Sequence, residues 1–460
     1  MNFLMENRIF VSESNLPVII NDKWDYDFSI RDLQTEQLTH SDCELLIELF
    51  IENIIREARK VVKTVKGRIE GIGEDIMYSN LDDKDWYRAA LIVEVFRDHS
   101  ISKNAGSLDT RKLQEKLYSA LQKNNVEFLI GWGQAKRYCG GLKTEGFSAD
   151  LSELYAIMNL QIVLLSVHLI CGYNVKLTVL TGGTRFYPAL FTDRDAIIKY
   201  DQQRQLLVNA LKIEGVNIIF DSYHNNHIED YDKLNLFCSM TEQRDIEKIF
   251  KTILINVDWQ AILTGDVLNP HGIHLPESIS RYIKDKNDID QLIMIAIVSI
   301  LNRTTHPFWI DKLNNVELFD DVIDFFYQVS LVSARKYIAL HLMDGDINNT
   351  SQSKLHSNAI RLTVHEKKDR RDIPALYTLG KNSGNKLSQH VCGFITKSGI
   401  SFDTLLEIYS KGEKGKVKRI QPVTNGLFSW LTENDQPLFY TDLSKEEYIS
   451  VIKGIRYIEE

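Results

Sequence analysis

Cysteine is scarce and unpatterned in this chain. There are five among 460 residues (Cys43, Cys139, Cys171, Cys238 and Cys392), and no two stand in a C-x-x-C pair. That spacing excludes a disulfide framework and a thiolate zinc site, and it fits a reducing cytoplasm. A basic excess is missing too. The 54 Lys and Arg residues against 63 Asp and Glu leave a formal net charge of −9, without the cationic footprint of a non-specific nucleic-acid binder. Met1-Asn-Phe-Leu-Met-Glu-Asn-Arg8 lacks the continuous apolar run of a secretory signal. The most apolar stretch, Leu154 to Ile170, carries Asn159, Gln161, Ser166 and His168. Four polar groups in a barely sufficient length mark a buried core helix, not a membrane span. No internal repeat and no GxSxG, HExxH or P-loop pattern occurs.

What is present is ordinary for a soluble globular protein, with 44% apolar and 25% charged residues. The length suits one large domain with additions, or two to three modules. The informative stretch runs from Val126 to Tyr223. Val126-Glu-Phe-Leu-Ile-Gly131, Val175-Lys-Leu-Thr-Val-Leu180 and Val216-Asn-Ile-Ile-Phe220 read as strands. Helices opened by Asp150 and Asp193 separate them. This alternation predicts an α/β fold: a Rossmann-like parallel sheet core flanked by helices. Residues 1–106 read as an N-terminal helical section, 107–345 as the core and 346–460 as a β-rich section packed on it. In the first, Ser41 is expected to cap a helix from Asp42 to Lys63, followed by a helix over Asp82 to His99; the core is expected to open with a helix over Leu108 to Lys123. Further helices are expected over 241–263, 279–301 and 316–343, a polar loop after Met343, strands near Ala359–His365, Gln389–Ile395 and Gly412–Val423, and a closing helix near Ser444–Tyr457.

Ligands of such sheets sit beyond the carboxyl ends of the strands. The loop after the first strand, Trp132 to Gly141, lacks the third glycine of a dinucleotide fingerprint, because Lys136 stands there. Together with Arg137 and Lys143, that lysine forms a cationic cluster suited to a phosphate or carboxylate. The second loop, Thr181-Gly182-Gly183-Thr-Arg185, offers main-chain amides and a guanidinium to the same anion. On Ile360 to His365, side-chain alternation puts Arg361 and His365 opposite the apolar Ile360, Leu362 and Val364. The same alternation puts His390 and Cys392 on one face. Two histidines near a bound amine can move protons at neutral pH. His224, His227 and Glu229, like His271 and His274, fall in loop-like sequence, so no metal centre is expected.

The order of these pieces resembles the isocyanide (isonitrile) synthase family of pyoverdine and dityrosine biosynthesis, over roughly Asn125 to Ile395. Carrying the resemblance are Ala135-Lys136, Lys143-Thr-Glu-Gly146, Ala149-Asp150-Leu-Ser-Glu153, Thr181-Gly182-Gly183 with Phe186, Ile360-Arg361-Leu-Thr-Val-His365, and His390. Two positions depart from it: Gly182 and Pro188 stand where the family carries aspartates. The resemblance implies an enzyme joining an amino acid's amine to the keto carbon of ribulose 5-phosphate and releasing an isonitrile, with no metal or cofactor. It implies His365 and His390 as acid–base groups. Lys136, Lys143, Thr181, Gly182, Gly183, Arg185 and Arg361 would be the substrate contacts. The partners implied are small molecules, with no nucleic acid and no membrane. The sequence assigns no oligomeric state.

Overall fold

A computed structural model describes residues 33–72, 83–133, 136, 144–181, 194–222, 358–366, 370–411, 416–423, 426–433 and 436–455. The expected helices over 241–263, 279–301 and 316–343 and the polar loop after Met343 lie outside the described residues.

The described chain enters as a short strand, β1 (Thr35–Leu38), and turns into the long helix α1 (His40–Ile72). Thr39 starts that helix: its hydroxyl accepts the Asp42 N–H at 3.3 Å, and its own N–H donates to Asp42 Oδ2 at 2.9 Å. The cap therefore sits two residues before Ser41. The helix also outlasts Lys63, because its buried face continues through Val65 and Ile69. Helix α2 (Lys84–Phe96) is capped by Asp83 and α3 (Thr110–Leu121) by Asp109, each carboxylate accepting first-turn amides. Asn124, at φ 51°, then turns the chain out of α3 into β2 (Val126–Trp132).

Next come α4 (Leu151–Cys171), β3 (Val175–Thr181), α5 (Arg194–Ala210), β4 (Val216–Ser222) and, far along the chain, β5 (Ile360–Leu362). They form the expected parallel sheet, in the order β4-β3-β2-β5. Val126 pairs with Val175 and Trp132 with Thr181, so the carboxyl tips of β2 and β3 lie side by side. Successive strands step from β2 to β3 to β4, and β5 then pairs on the other flank of β2. The topological switch point therefore lies between β2 and β5. Helix α4 is apolar all round and long enough to cross a membrane by composition, yet 89% of its most apolar window is buried inside the protein. It is the core helix of this fold.

The remaining elements are β6 (Cys392–Thr396), β7 (Gly399–Asp403), α6 (Leu405–Lys411), β8 (Lys418–Pro422), α7 (Trp430–Glu433), β9 (Phe439–Thr441) and α8 (Lys445–Lys453). They build a mixed sheet in the order β1-β8-β9-β6-β7. The C-terminal section is β-rich and closed by a helix, as its sequence texture predicts. Two strands cross the sequence divisions: β1 comes from the N-terminal section and pairs with β8, while β5 joins the core sheet. One hydrophobic cluster runs from Leu38 through Phe128 and Leu160 to Ile455, so the sections share a core.

Candidate functional site

The loop after β2 does not hold Lys136 out to solvent. The side chain is fully buried, and its Nζ donates to Ser152 Oγ and Glu153 Oε2, both at 2.8 Å, and to the Ser388 carbonyl at 3.1 Å. Asp150 Oδ1 lies 3.0 Å away. The lysine that the sequence reading gives to a phosphate or carboxylate is thus paired inside the protein. A buried ammonium requires counter-charge, and two carboxylates from the start of α4 supply it. Those carboxylates also cap the helix: Asp150 Oδ1 accepts the Ser152 N–H at 2.7 Å, and Glu153 Oε2 accepts the Asp150 N–H at 2.9 Å. Tyr200 of α5 donates its hydroxyl to Glu153 Oε1 at 2.8 Å, and Gln436 donates to Asp150 Oδ2 at 2.8 Å.

One ammonium balances one carboxylate, so the second is held at a cost. Burial, helped by the neighbouring Glu153, pushes the Asp150 carboxyl up to about 7 against the pull of Lys136. Burial opposes the Lys136 ammonium, but Asp150 and Glu153 outweigh it and hold the lysine above its ordinary value. The Cys392 thiol, buried and close to the same carboxylates, is pushed far up and stays protonated. The cluster can store a proton near neutral pH while tying β2, α4, α5 and the Ser388 turn together.

Beside it, at the tip of β3, Thr181 donates its hydroxyl to Asp201 Oδ2 at 2.9 Å. Asp201 also pairs with the fully buried Arg204, whose Nη1 donates to the Gly133 carbonyl at 2.9 Å. The guanidinium stacks on the rings of Tyr200 and Phe220, at 4.3 and 4.7 Å from their centroids. Gly133 is crowded from the other side as well. A Cβ there would fall 2.4 Å from Gln389 Nε2, so any other residue would have to push the Gln389 carboxamide off the strand end. Three buried polar atoms of these side chains have no hydrogen-bond partner among the described residues: Gln389 Oε1, Ser388 Oγ and Arg204 Nε. Orphaned buried polar atoms call for an explanation, and a polar ligand or ordered water at the site is the usual one.

The histidines separate in kind. His390 ends a 3₁₀ turn, Ser388–His390, in which its N–H donates to the Leu387 carbonyl at 2.9 Å. The strand starts only at Cys392, so the expected common face of His390 and Cys392 is not formed. The cause is tertiary: Lys136 and Ser152, both distant in sequence, donate to the Ser388 carbonyl, which removes it from any ladder. On β5 the expected alternation is present. Ile360, Leu362 and Val364 are buried, Arg361 is half-buried and His365 is exposed. Lys143, Gly182, Gly183 and Arg185 lie outside the described residues, as do Arg137 and His224, His227, Glu229, His271 and His274. Among the described residues no group of three metal-ligating side chains occurs. Sequence reasoning missed Ser152, Asp201, Arg204, Ser388 and Gln389. Asp201 and Arg204 carried a visible signal in their i, i+3 spacing on α5.

No family model matches the chain, and no curated protein matches it. Among solved structures it is similar to the crystal structure of the PvcA protein from Pseudomonas aeruginosa. The identity is 15%, the match covers 72% of this chain and 90% of that one, and the TM-score is 0.45.

Proposed function

We propose that this protein is an enzyme of the isonitrile-synthase type, working in a reducing, cytoplasmic setting. It joins the amine of an amino acid to the keto carbon of ribulose 5-phosphate at the carboxyl tips of β2 and β3. One observation carries the reading: motif residues far apart in sequence converge on one place. Lys136, the Asp150–Glu153 helix start and the Ser388–His390 turn meet within hydrogen-bond distance beside the end of β2. They do so next to the switch point, where α/β sheets bind their ligands.

In this reading Lys136 fixes the Ser388 turn, and His390 with it, and does not grip substrate. The sugar phosphate is assigned to Lys143 and Arg185 with the amides of Gly182 and Gly183, next to Thr181 at the tip of β3. Arg361 holds the amino-acid carboxylate. The attacking amine must be neutral, and the keto oxygen must leave as water when the carbon–nitrogen double bond forms; His365 and His390 are assigned those proton transfers. No cofactor or metal enters the scheme.

The test is incubation of the pure protein with a panel of amino acids and ribulose 5-phosphate, with isonitriles trapped and read by mass spectrometry. An isonitrile product that vanishes in His390→Ala is expected. Gly182 and Pro188, standing where the resemblance implies aspartates, favour a second reading in which the same scaffold takes another amino acid or sugar phosphate. Turnover confined to such a pair selects that reading, and binding without turnover removes both.

A further inference from the structure

The solvent face of α1 is divided by charge. From Ser41 to Lys66 its exposed positions are Ser41, Glu44, Glu48, Glu52, Arg56, Arg59, Lys63 and Lys66. The acids fill one half and the bases the other, at spacings of three and four that keep them on one stripe. The stripe from Glu44 to Lys66 is about 33 Å long at ~1.5 Å per residue.

The helix does not need this arrangement for itself. Complementing the helix dipole takes charges only in the first and last turns. Glu52 lies deep inside α1, and Arg59 stands more than three turns before Ile72, at about 3.6 residues per turn. Internal ion pairing would alternate the signs. Here Glu44, Glu48 and Glu52 repel at successive i, i+4 steps, as do Arg59 and Lys63. Glu48, Glu52, Arg59, Lys63 and Lys66 form no ion pair among the described residues. Among the described residues Glu44 approaches only His40, at 3.3 Å, and Arg56 is occupied by Glu57 and the end of α8.

We propose that this stripe is the contact for a second copy of the chain, with the two α1 helices running antiparallel across a two-fold axis near Glu52 and Ile55. A charge-divided stripe is its own complement when reversed, which is what an isologous interface requires. The pairing sets Glu44 opposite Lys63 and Glu48 opposite Arg59, each twice. The same register brings the partly exposed Leu45 opposite Val62 and lays Ile51 and Ile55 along the axis, adding apolar area to the charge match.

Sedimentation velocity on the full chain tests it. The wild type is expected to dimerise at about 0.05 M salt and to dissociate toward about 0.5 M, as exposed charge pairs do when screened. Glu44→Lys with Glu48→Lys sets basic against basic in all four cross-helix pairs, and Arg59→Glu with Lys63→Glu sets acid against acid in them. Each double variant alone is expected to be monomeric at low salt with an unchanged circular dichroism spectrum. An equimolar mixture of the two is expected to form the heterodimer, since every pair is then complementary. A monomeric wild type at low salt, a dimer indifferent to both variants, or a mixture that fails to associate overturns the proposal.

Discussion

Removing the Lys136 ammonium would leave Asp150 and Glu153 facing each other without solvent or counter-charge. Lys136→Met is therefore expected to cost about 3–5 kcal/mol at pH 7, the penalty for breaking a buried ion pair from one side. Urea denaturation measures it. The same cluster sets a pH signature. The carboxyl of Asp150 stands at about 7 in the fold against an ordinary 3.8, so the folded state holds a proton that the unfolded state has released. That contribution is complete below the unfolded value and is lost as pH rises through about 7, so stability is expected to decline between about pH 4 and pH 7. Asp98 and Asp403 are held below the usual carboxylate range, despite burial, by hydrogen bonds and by Arg68, Lys386 and Lys411. Their effect has the opposite sign and appears only in more acid solution. Asp150→Asn keeps an N-cap acceptor but has nothing to titrate, so urea titrations at pH 5 and pH 7 should show a flatter profile than the wild type. An equal slope in both proteins would remove Asp150 as its source.

Elements were legible where their own residues decide them. The apolar runs of β2, β3 and β4, and the cap residues Asp150 and Ser444, announce themselves in the sequence, because alternation and capping are local chemistry. Strand β1 does not, since Thr35-Glu-Gln-Leu38 buries only its leucine and is a strand because β8 pairs with it. The Ser388–His390 turn looked like a strand for the same reason, its shape being imposed by Lys136 from 252 positions away. Glycines at the end of β2 divide likewise. A methyl group added at Gly131 would meet nothing within 4 Å, whereas one added at Gly133 would meet the Gln389 side chain at 2.4 to 3.1 Å. Gly133→Ala is expected to displace the Ser388–His390 turn and cost about 1–3 kcal/mol, while Gly131→Ala stays within about 1 kcal/mol. Equal stabilities of the two variants in denaturant would contradict the packing described.

At the scale of the molecule, the three sections read from sequence do not close on themselves. Strand β1 pairs with β8, β5 supplies the fourth strand of the core sheet, and Ser388 is bonded to Lys136. Helix α8 ends on α1, where Asn53 Nδ2 donates to the Ile452 carbonyl at 3.0 Å and Arg56 reaches the carbonyls of Lys453 and Ile455. These contacts pin the end of α8 and the residues just after it to a helix some four hundred residues earlier. A chain wired this way should unfold as one unit. Residues 346–460 produced alone would carry a sheet missing β1 and a helix whose C-terminal end has lost Asn53 and Arg56. They would also expose the apolar faces of Ile420, Phe439 and Ile452, which are buried in the shared core. That fragment is expected to show the circular dichroism of an unfolded or aggregating chain. The full-length protein should give superimposable urea transitions by tryptophan fluorescence and far-ultraviolet circular dichroism. A fragment that melted cooperatively by itself would mean that the strand and helix contacts crossing the sections are dispensable, and that the C-terminal sheet carries its own core.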